Sequence, residues 1–249
     1  MIEIKNISAG YGDRRVIDGV SASIERGKLT TVVGANGSGK STLLKSVLGI
    51  LPITSGEITL DGVSLSSLGK NEIARRVAYL SQGGGTPDMT VGQMVLHGRF
   101  PYLSYPRRYR ETDRKIAAAA MESVGITRLA ERPIRELSGG MRQNAYIAMA
   151  LAQDTDYILL DEPTTYLDIA HQLELMRLLR TLTDRGKGVV TVMHDLPMAF
   201  DFSDTVLAIR AGRIAAAAAP SEIYASSVIE DILGVGLERS SDGRYHYKY

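Results

Sequence analysis

The stretch VVGANGSGKST, residues 32–42, constrains the fold more than any other part of the chain. An apolar run, LTTVV at residues 29–33, ends in a glycine-rich turn, and a helical segment over residues 41–48 follows. A strand that is apolar at every position has no wet face, so it belongs in a parallel sheet covered on both sides. Parallel neighbours cannot be joined by a tight turn, so further strand–crossover units must follow. YILL at residues 157–160 and VVTVM at residues 189–193 are equally continuous, and TVLAI at residues 205–209 is a further strand of this kind.

Other segments follow different periods. Ile2, Ile4 and Ile7, then Val16, Val20, Ala22 and Ile24, are interrupted by Gly-Tyr-Gly and Asp-Gly turns, and GEITLDG at residues 56–62 is another short strand. These predict antiparallel strands with one wet face. Residues 168–184 carry Ile169, Leu173, Leu175, Met176, Leu179 and Leu182 at helical spacing. Between residues 90 and 153 the strand signal nearly vanishes. TDRKIAAAAMESVGI, with a Thr/Asp cap at its start, predicts a helix, and residues 90–153 read as a helical subdomain inserted in the α/β core. Within it, HGRFPYLSYPRRYR is rich in Pro, Tyr and Arg and reads as a loop. The alanine run at residues 215–219 is biased but uninformative, and residues 237–249 read as a polar, aromatic surface tail on a single domain of residues 1–249.

Composition excludes some chemistry. The 249 residues carry a net charge of +1, which gives no general attraction to nucleic acid or acidic lipid. The chain has no cysteine, which removes disulfides, thiolate metal sites and a cysteine nucleophile. No stretch is long and apolar enough for a transmembrane helix, and the first residues lack a signal-peptide core. The expected location is cytoplasmic, with any membrane role exerted through a partner.

The glycine turn matches the P-loop pattern at every fixed position: Gly34, four residues, then Gly39, Lys40 and Ser41. Glycines let successive amides turn inward on phosphate oxygens, and the N-terminus of the next helix adds its positive end. The cradle is expected to comprise Gly34, Ala35, Asn36, Gly37, Ser38, Gly39, Lys40, Ser41 and Thr42, with Lys40 on the terminal phosphates and Ser41 on Mg²⁺. YILLDEP at residues 157–163 supplies the complement. Its strand delivers Asp161 as a metal ligand and Glu162 as the group that orients or deprotonates an attacking water.

Kinases, GTPases, helicases and transport motors all combine a P-loop with such an acid strand. ELSGGMRQNAYIAMALAQ at residues 136–153 separates them, because LSGG opening a helix ahead of the acid strand resembles the signature of ATP-binding cassette (ABC) ATPases. The resemblance implies that Ser138, Gly139 and Gly140 present amides and a hydroxyl to a nucleotide held by the other protomer. It extends to Tyr11 in AGYGD, matching an aromatic that stacks on adenine, and to Gln82 in AYLSQ, matching a glutamine that senses Mg²⁺ and the membrane partner. Asp168 in TTYLD matches an acid that crosses the dimer interface and also reads as a helix N-cap. His194 in TVMHD matches the histidine near the γ-phosphate.

What the resemblance implies is an α/β P-loop NTPase of ABC ATPase type, with a mixed sheet core, an antiparallel β subdomain and an inserted helical subdomain. Its cofactors would be ATP and Mg²⁺. Its catalytic groups would be Glu162, His194, Gln82 and Lys40, with the metal held by Ser41, Gln82 and Asp161. The partners implied are a second copy in a head-to-tail homodimer, a polytopic membrane permease and, indirectly, an extracytoplasmic substrate-binding protein, without nucleic acid. The chain would then sit at the cytoplasmic face of the cell membrane. TTYLDIAHQ, HGRFPYLSYPRR and MRQNAYIAMALAQDTDYILLDEPT further resemble the ATPases of importers for ferric siderophores, haem and vitamin B12. A motor for another cargo, such as a metal ion or an exported compound, and a soluble ABC ATPase outside transport are the alternatives. A degenerate, non-enzymatic subunit is opposed by intact Lys40, Asp161, Glu162 and His194. Two positions depart from the family pattern: Met141 replaces the usual glutamine, and Asn144 stands where a basic residue is common.

Overall fold

Two kinds of strand build two sheets in the computed structural model, which describes every residue except 82–84, 166 and 249. The alternating segments β1 (Ile2–Tyr11), β2 (Arg14–Ile24), β4 (Ile53–Leu60) and β5 (Val63–Ser64) form an antiparallel sheet in the order β2-β1-β4-β5. The continuous apolar runs enter a second sheet of β3 (Leu29–Val33), β6 (Val77–Leu80), β7 (Tyr157–Asp161), β8 (Gly188–Val192) and β9 (Thr205–Arg210), closed at one edge by β10 (Arg213–Ala218). Its order is β10-β9-β3-β8-β7-β6, parallel throughout except for the β9–β10 hairpin.

Burial follows the strand period of two. Tyr157 and Leu159 face the antiparallel sheet and α1 (Lys40–Val47), where they join Ile2, Ile7, Ile17, Leu43 and Leu44. Ile158 and Leu160 face the other way, toward α6 (Ile169–Asp184) and α7 (Leu196–Phe202), which contribute Met176, Leu179, Ala199 and Phe200. Every residue of β3, β7 and β8 is buried, as two-sided coverage requires. After the short α2 (Lys70–Ala74) and β6, the helices α3 (Val91–His97), α4 (Glu111–Ser123) and α5 (Gly139–Ala152) enclose a hydrophobic cluster of their own.

The structure revises several local expectations. The N-cap of α4 is Arg110 rather than the Thr/Asp pair. Asp113 stands at the third helical position and accepts from the Arg110 amide at 2.9 Å. HGRFPYLSYPRRYR is not all loop, since it begins in α3 and includes a 3₁₀ turn at Phe100–Tyr102. Within it Arg99 is buried, paired with Asp113 at 3.0 Å and stacked 3.9 Å over the Tyr102 ring. The alanine run lies in β10, where small side chains suit an edge strand under α8 (Pro220–Ala225). The tail is not mere surface. After α9 (Val228–Leu233), β11 (Leu237–Arg239) and β12 (Tyr245–Tyr247) pair as a hairpin and bury Tyr245 against Phe200 and Tyr224. Among the described residues, no helix is long and apolar enough to cross a membrane.

Candidate active site

Sheet order decides which chemical groups meet. β3 lies beside β8, and β8 beside β7, all parallel, so the segments leaving their carboxyl ends emerge together. These are the P-loop after Val33, His194 after β8, and Glu162 after Asp161, the last residue of β7.

The P-loop needs glycine for steric reasons. Gly34 has φ 155°, and a Cβ there would lie 2.4 Å from the Ile209 carbonyl oxygen. Gly39 has φ 108°, and its Cβ would meet the Ile17 side chain at 2.6 Å. The loop is thus pressed between β9 and β2, and the Gly212 amide braces it by donating to the Ser38 carbonyl at 3.0 Å. Ala35, Asn36 and Gly37 are exposed, whereas Ser38, Gly39, Lys40 and Thr42 are buried and Ser41 is half-buried. Lys40, only 5% exposed, folds back to donate to the carbonyls of Gly34 at 2.8 Å and Ala35 at 3.0 Å. Burial pushes its amine below the ordinary lysine value, while Glu162 and Asp161 oppose that shift.

Asp161 is buried. Its Oδ2 accepts from the Tyr79 hydroxyl at 3.2 Å, and burial together with that carboxylate pushes the Tyr79 phenol well up. Among the described residues, Oδ1 of Asp161 and Oγ of Ser38 are buried without a hydrogen-bond partner. Orphaned polar atoms are costly, and at the P-loop and the end of β7 a bound group can complete the bonding; among the described residues, Ser46 Oγ and Thr191 Oγ1 are orphaned as well. No cluster of three His, Asp or Glu side chains suited to a metal exists among the described residues. A donor set of one carboxylate and one hydroxyl, Asp161 and Ser41, fits Mg²⁺, which is commonly held by one or two carboxylates plus substrate phosphates.

Glu162 adopts φ 53°, a left-handed conformation that costs a non-glycine residue about 1 kcal/mol or more. Its Oε1 lies 2.8 Å from Nε2 of His194. The pair is asymmetric, with the Glu162 side chain 14% exposed and that of His194 49%. The imidazole thus orients the Glu162 carboxylate where the segments after β7 and β8 emerge together.

The remaining expected residues lie further out. Tyr11, 50% exposed, ends β1 opposite Arg14. Ser138 is exposed and caps α5 by accepting from the Met141 amide at 3.3 Å, with Gly139 exposed and Gly140 half-buried in its first turn. Among the described residues no hydrogen bond joins this turn to the P-loop of the same chain. Asp168 caps α6 through the His171 amide at 2.9 Å and also meets His171 Nδ1 at 2.8 Å. These two bonds hold the exposed Asp168 carboxyl below its usual value and raise the imidazole. Gln82 lies outside the described residues. Sequence reasoning did not single out Tyr79, the partner of Asp161, or Gln143, whose amide donates to the Pro163 carbonyl at 2.9 Å and ties α5 to the acid strand. Tyr79 lies three residues before Gln82 in the same quoted stretch, but a lone tyrosine on a strand carries no signal for a partner in β7.

Comparison with known proteins finds relatives over nearly the whole chain. The family model for ABC transporters matches residues 17–165. The chain is 41% identical over 243 residues to the petrobactin import ATP-binding protein FpuD of Bacillus anthracis, covering 97% of this chain and 89% of that protein. It is 40% identical over 233 residues to the ferric enterobactin transport ATP-binding protein FepC of Escherichia coli (strain K12), covering 93% and 86%. The iron(3+)-hydroxamate import ATP-binding protein FhuC of Bacillus subtilis (strain 168) is 39% identical, with 98% and 91% covered. Among solved structures, the dimeric cassette MJ0796 superposes with a TM-score of 0.77 at 28% identity, covering 88% of this chain and 99% of that one.

Proposed function

The chain belongs to the ABC transporter family, and from that membership we propose that it is the ATP-hydrolysing motor of an importer for ferric siderophores. The observation that carries the hydrolytic half is the convergence of the P-loop, Asp161, Glu162 and His194 at the carboxyl ends of β3, β7 and β8. The cargo half is supported by relatives named for petrobactin, enterobactin and hydroxamate import, similar over nearly the whole chain.

In this reading the amides of the P-loop and the Lys40 ammonium bind the phosphates. Lys40 exchanges its bonds to the Gly34 and Ala35 carbonyls for phosphate oxygens, an exchange of neutral for charged acceptors. Ser41 and Asp161 would hold Mg²⁺, with Gln82 as a further ligand. When bound, the ion supplies positive charge to the phosphate oxygens as the transfer proceeds. Glu162 accepts the proton of the attacking water. His194 orients the Glu162 carboxylate through the contact at Oε1 and stands beside the terminal phosphate. Tyr11 stacks on the adenine.

Ser138, Gly139 and Gly140 are exposed or half-buried at the start of α5 and serve the nucleotide of a second copy, so the motor works as a head-to-tail homodimer. Ile169, 73% exposed beside Asp168, and Met141, 43% exposed, suit an apolar contact in that dimer. A membrane permease receives the motion, with a substrate-binding protein outside, and the motor rests peripherally on the cytoplasmic face. The test is affinity purification of the tagged chain from detergent-solubilised membranes. Co-recovery of a many-spanning protein, with ferric-siderophore uptake lost when Glu162→Gln replaces the wild type, is expected. Recovery of soluble proteins alone would remove the importer reading and leave the ATPase.

A further inference from the structure

The C-terminal hairpin touches the same helix at both ends. Tyr245 and Tyr247 are two residues apart on β12 and therefore share a face, and that face meets α7. Near the end of α7, the Asp201 carboxylate accepts from the Tyr245 amide at 3.0 Å. The Tyr245 ring lies edge-on to Phe200 at 5.2 Å and to Tyr224 at 5.4 Å. At the start of α7, the Leu196 amide donates to the Tyr247 hydroxyl at 3.2 Å.

Leu196 is the first helical residue of α7, so its amide has no partner within the helix. Asp195, the N-cap, spends its side chain on the Met198 amide at 2.9 Å and leaves Leu196 to Tyr247. His194 comes directly before that cap. Its imidazole sits 2.8 Å from Glu162, with its own side chain 49% exposed and little packing to fix it. The backbone that carries His194 is thus fixed on one side by β8, through the Met193 amide on the Val32 carbonyl at 3.3 Å, and on the other by the anchored start of α7.

We propose that Tyr247 is a positioning residue for His194: its hydroxyl anchors the first amide of α7 and so fixes where the imidazole meets Glu162. This rests on the role given to His194 above. The hairpin thereby becomes part of the hydrolytic apparatus without touching nucleotide.

The test is a double-mutant cycle on the full chain, read by steady-state kcat and KM for MgATP and by single-turnover hydrolysis, which stays measurable in slow variants. Tyr247→Phe keeps the ring and loses the acceptor. It is expected to lower kcat about 5-fold, the rate equivalent of one ordinary hydrogen bond, with KM unchanged and Tm lowered by no more than about 2–4 °C. In a His194→Ala background the same substitution should lower the rate no further. Tyr245→Phe keeps the hairpin and should leave kcat at the wild-type level. Wild-type kcat in Tyr247→Phe overturns the proposal, as does an equal loss in the His194→Ala background. A loss that Tyr245→Phe reproduces also overturns it by assigning the effect to general support. If His194→Ala itself turns over normally, the reading of His194 fails and takes this inference with it. A slow His194→Ala beside a normal Tyr247→Phe removes the inference alone.

Discussion

Arg26 and Lys40 are both cations set against the six-stranded sheet, at opposite ends of its parallel strands. Arg26 precedes β3 and lies at the amino end. Its Nη2 donates to Asp61 at 2.7 Å and to Asp156 at 2.9 Å, its Nε to the Tyr157 hydroxyl at 3.3 Å, and that hydroxyl donates to Asp61 at 2.8 Å. Lys40 follows β3 at the carboxyl end, where its hydrogen-bond partners among the described residues are the neutral carbonyls of Gly34 and Ala35, and where Oδ1 of Asp161 and Oγ of Ser38 lack partners among those residues. One end spends its charges on each other and joins the two sheets. The other sets Lys40 on backbone carbonyls and pairs Glu162 with His194 at the strand ends. Charge fixed in a network gives stability, and charge held in incomplete bonding gives binding energy once phosphate arrives.

The sharpest way to break this contrast is to alter the carboxyl end and look for a change in stability. Glu162→Gln removes the proposed proton acceptor at nearly constant shape. Turnover should fall by roughly 10²- to 10⁴-fold, the range for losing a general base, while ATP still binds and Tm holds or rises. Phosphate-release kinetics beside a thermal melt checks both halves, and wild-type turnover would remove Glu162 from the mechanism. Lys40→Ala should weaken ATP binding by roughly 10- to 100-fold, the worth of a charge-assisted hydrogen bond to phosphate. Equilibrium nucleotide binding reads this directly, and unchanged affinity would count against the phosphate cradle.

The two ends also differ in how far the sequence reveals them. GANGSGKST and YILLDEP are contiguous, and each follows an apolar strand whose end the pattern locates, so Lys40, Asp161 and Glu162 are legible without coordinates. The position of His194 after β8 is legible for the same reason. The Arg26 network is not, because its members come together from far apart: Arg26 is 35 residues from Asp61 and 130 from Asp156. Only the pairing of sheets brings them into contact. β10 was hidden for another reason. Alanine has weak strand preference, and the edge of an existing sheet imposed the conformation. The hairpin at residues 237–247 lacks a repeated apolar pattern, and its tyrosines find their partners 44 and 51 residues away on α7.

A change at the amino end should do the reverse. Asp61→Ala removes the shared acceptor of Arg26, the Tyr157 hydroxyl and the Met1 amine but leaves Arg26 paired with Asp156, and the loss should be about 1–2 kcal/mol with KM for ATP unchanged. Acid titration sharpens the same point. Burial disfavours the Asp61 carboxylate, but hydrogen bonds from Arg26, the Met1 amine and Tyr157 outweigh it and hold the carboxyl well below the usual aspartate range. The folded state therefore binds this proton less readily than the unfolded chain. The stabilisation is complete above the unfolded value near 4 and is lost as pH falls through and below it. Denaturant midpoints between neutral pH and pH 3 should fall more steeply for the wild type than for Asp61→Ala, and parallel curves would show that Asp61 carries no such linkage.

Tyr157→Phe tests the smallest element of the comparison. The ring is fully buried and lies where a Cβ on Gly188 would clash with it at 2.6 Å, so the phenylalanine should occupy the same space. Only the hydroxyl is lost, and with it one bond given to Asp61 and one taken from Arg26. Those two residues keep their direct pair at 2.7 Å, so neither charge is stranded. The cost should therefore be about 1 kcal/mol, the ordinary worth of a hydrogen bond, rather than the larger figure for an unpaired buried charge. Burial and the Asp61 bond push the Tyr157 phenol up to about 12, so the hydroxyl stays protonated across the working range and the cost should not vary between pH 6 and 9. Chemical denaturation at those two pH values measures this, with ATP turnover as the control. A cost confined to stability keeps the two ends of the sheet separate, whereas a fall in turnover would mean that the sheet transmits strain from the locked end to the site.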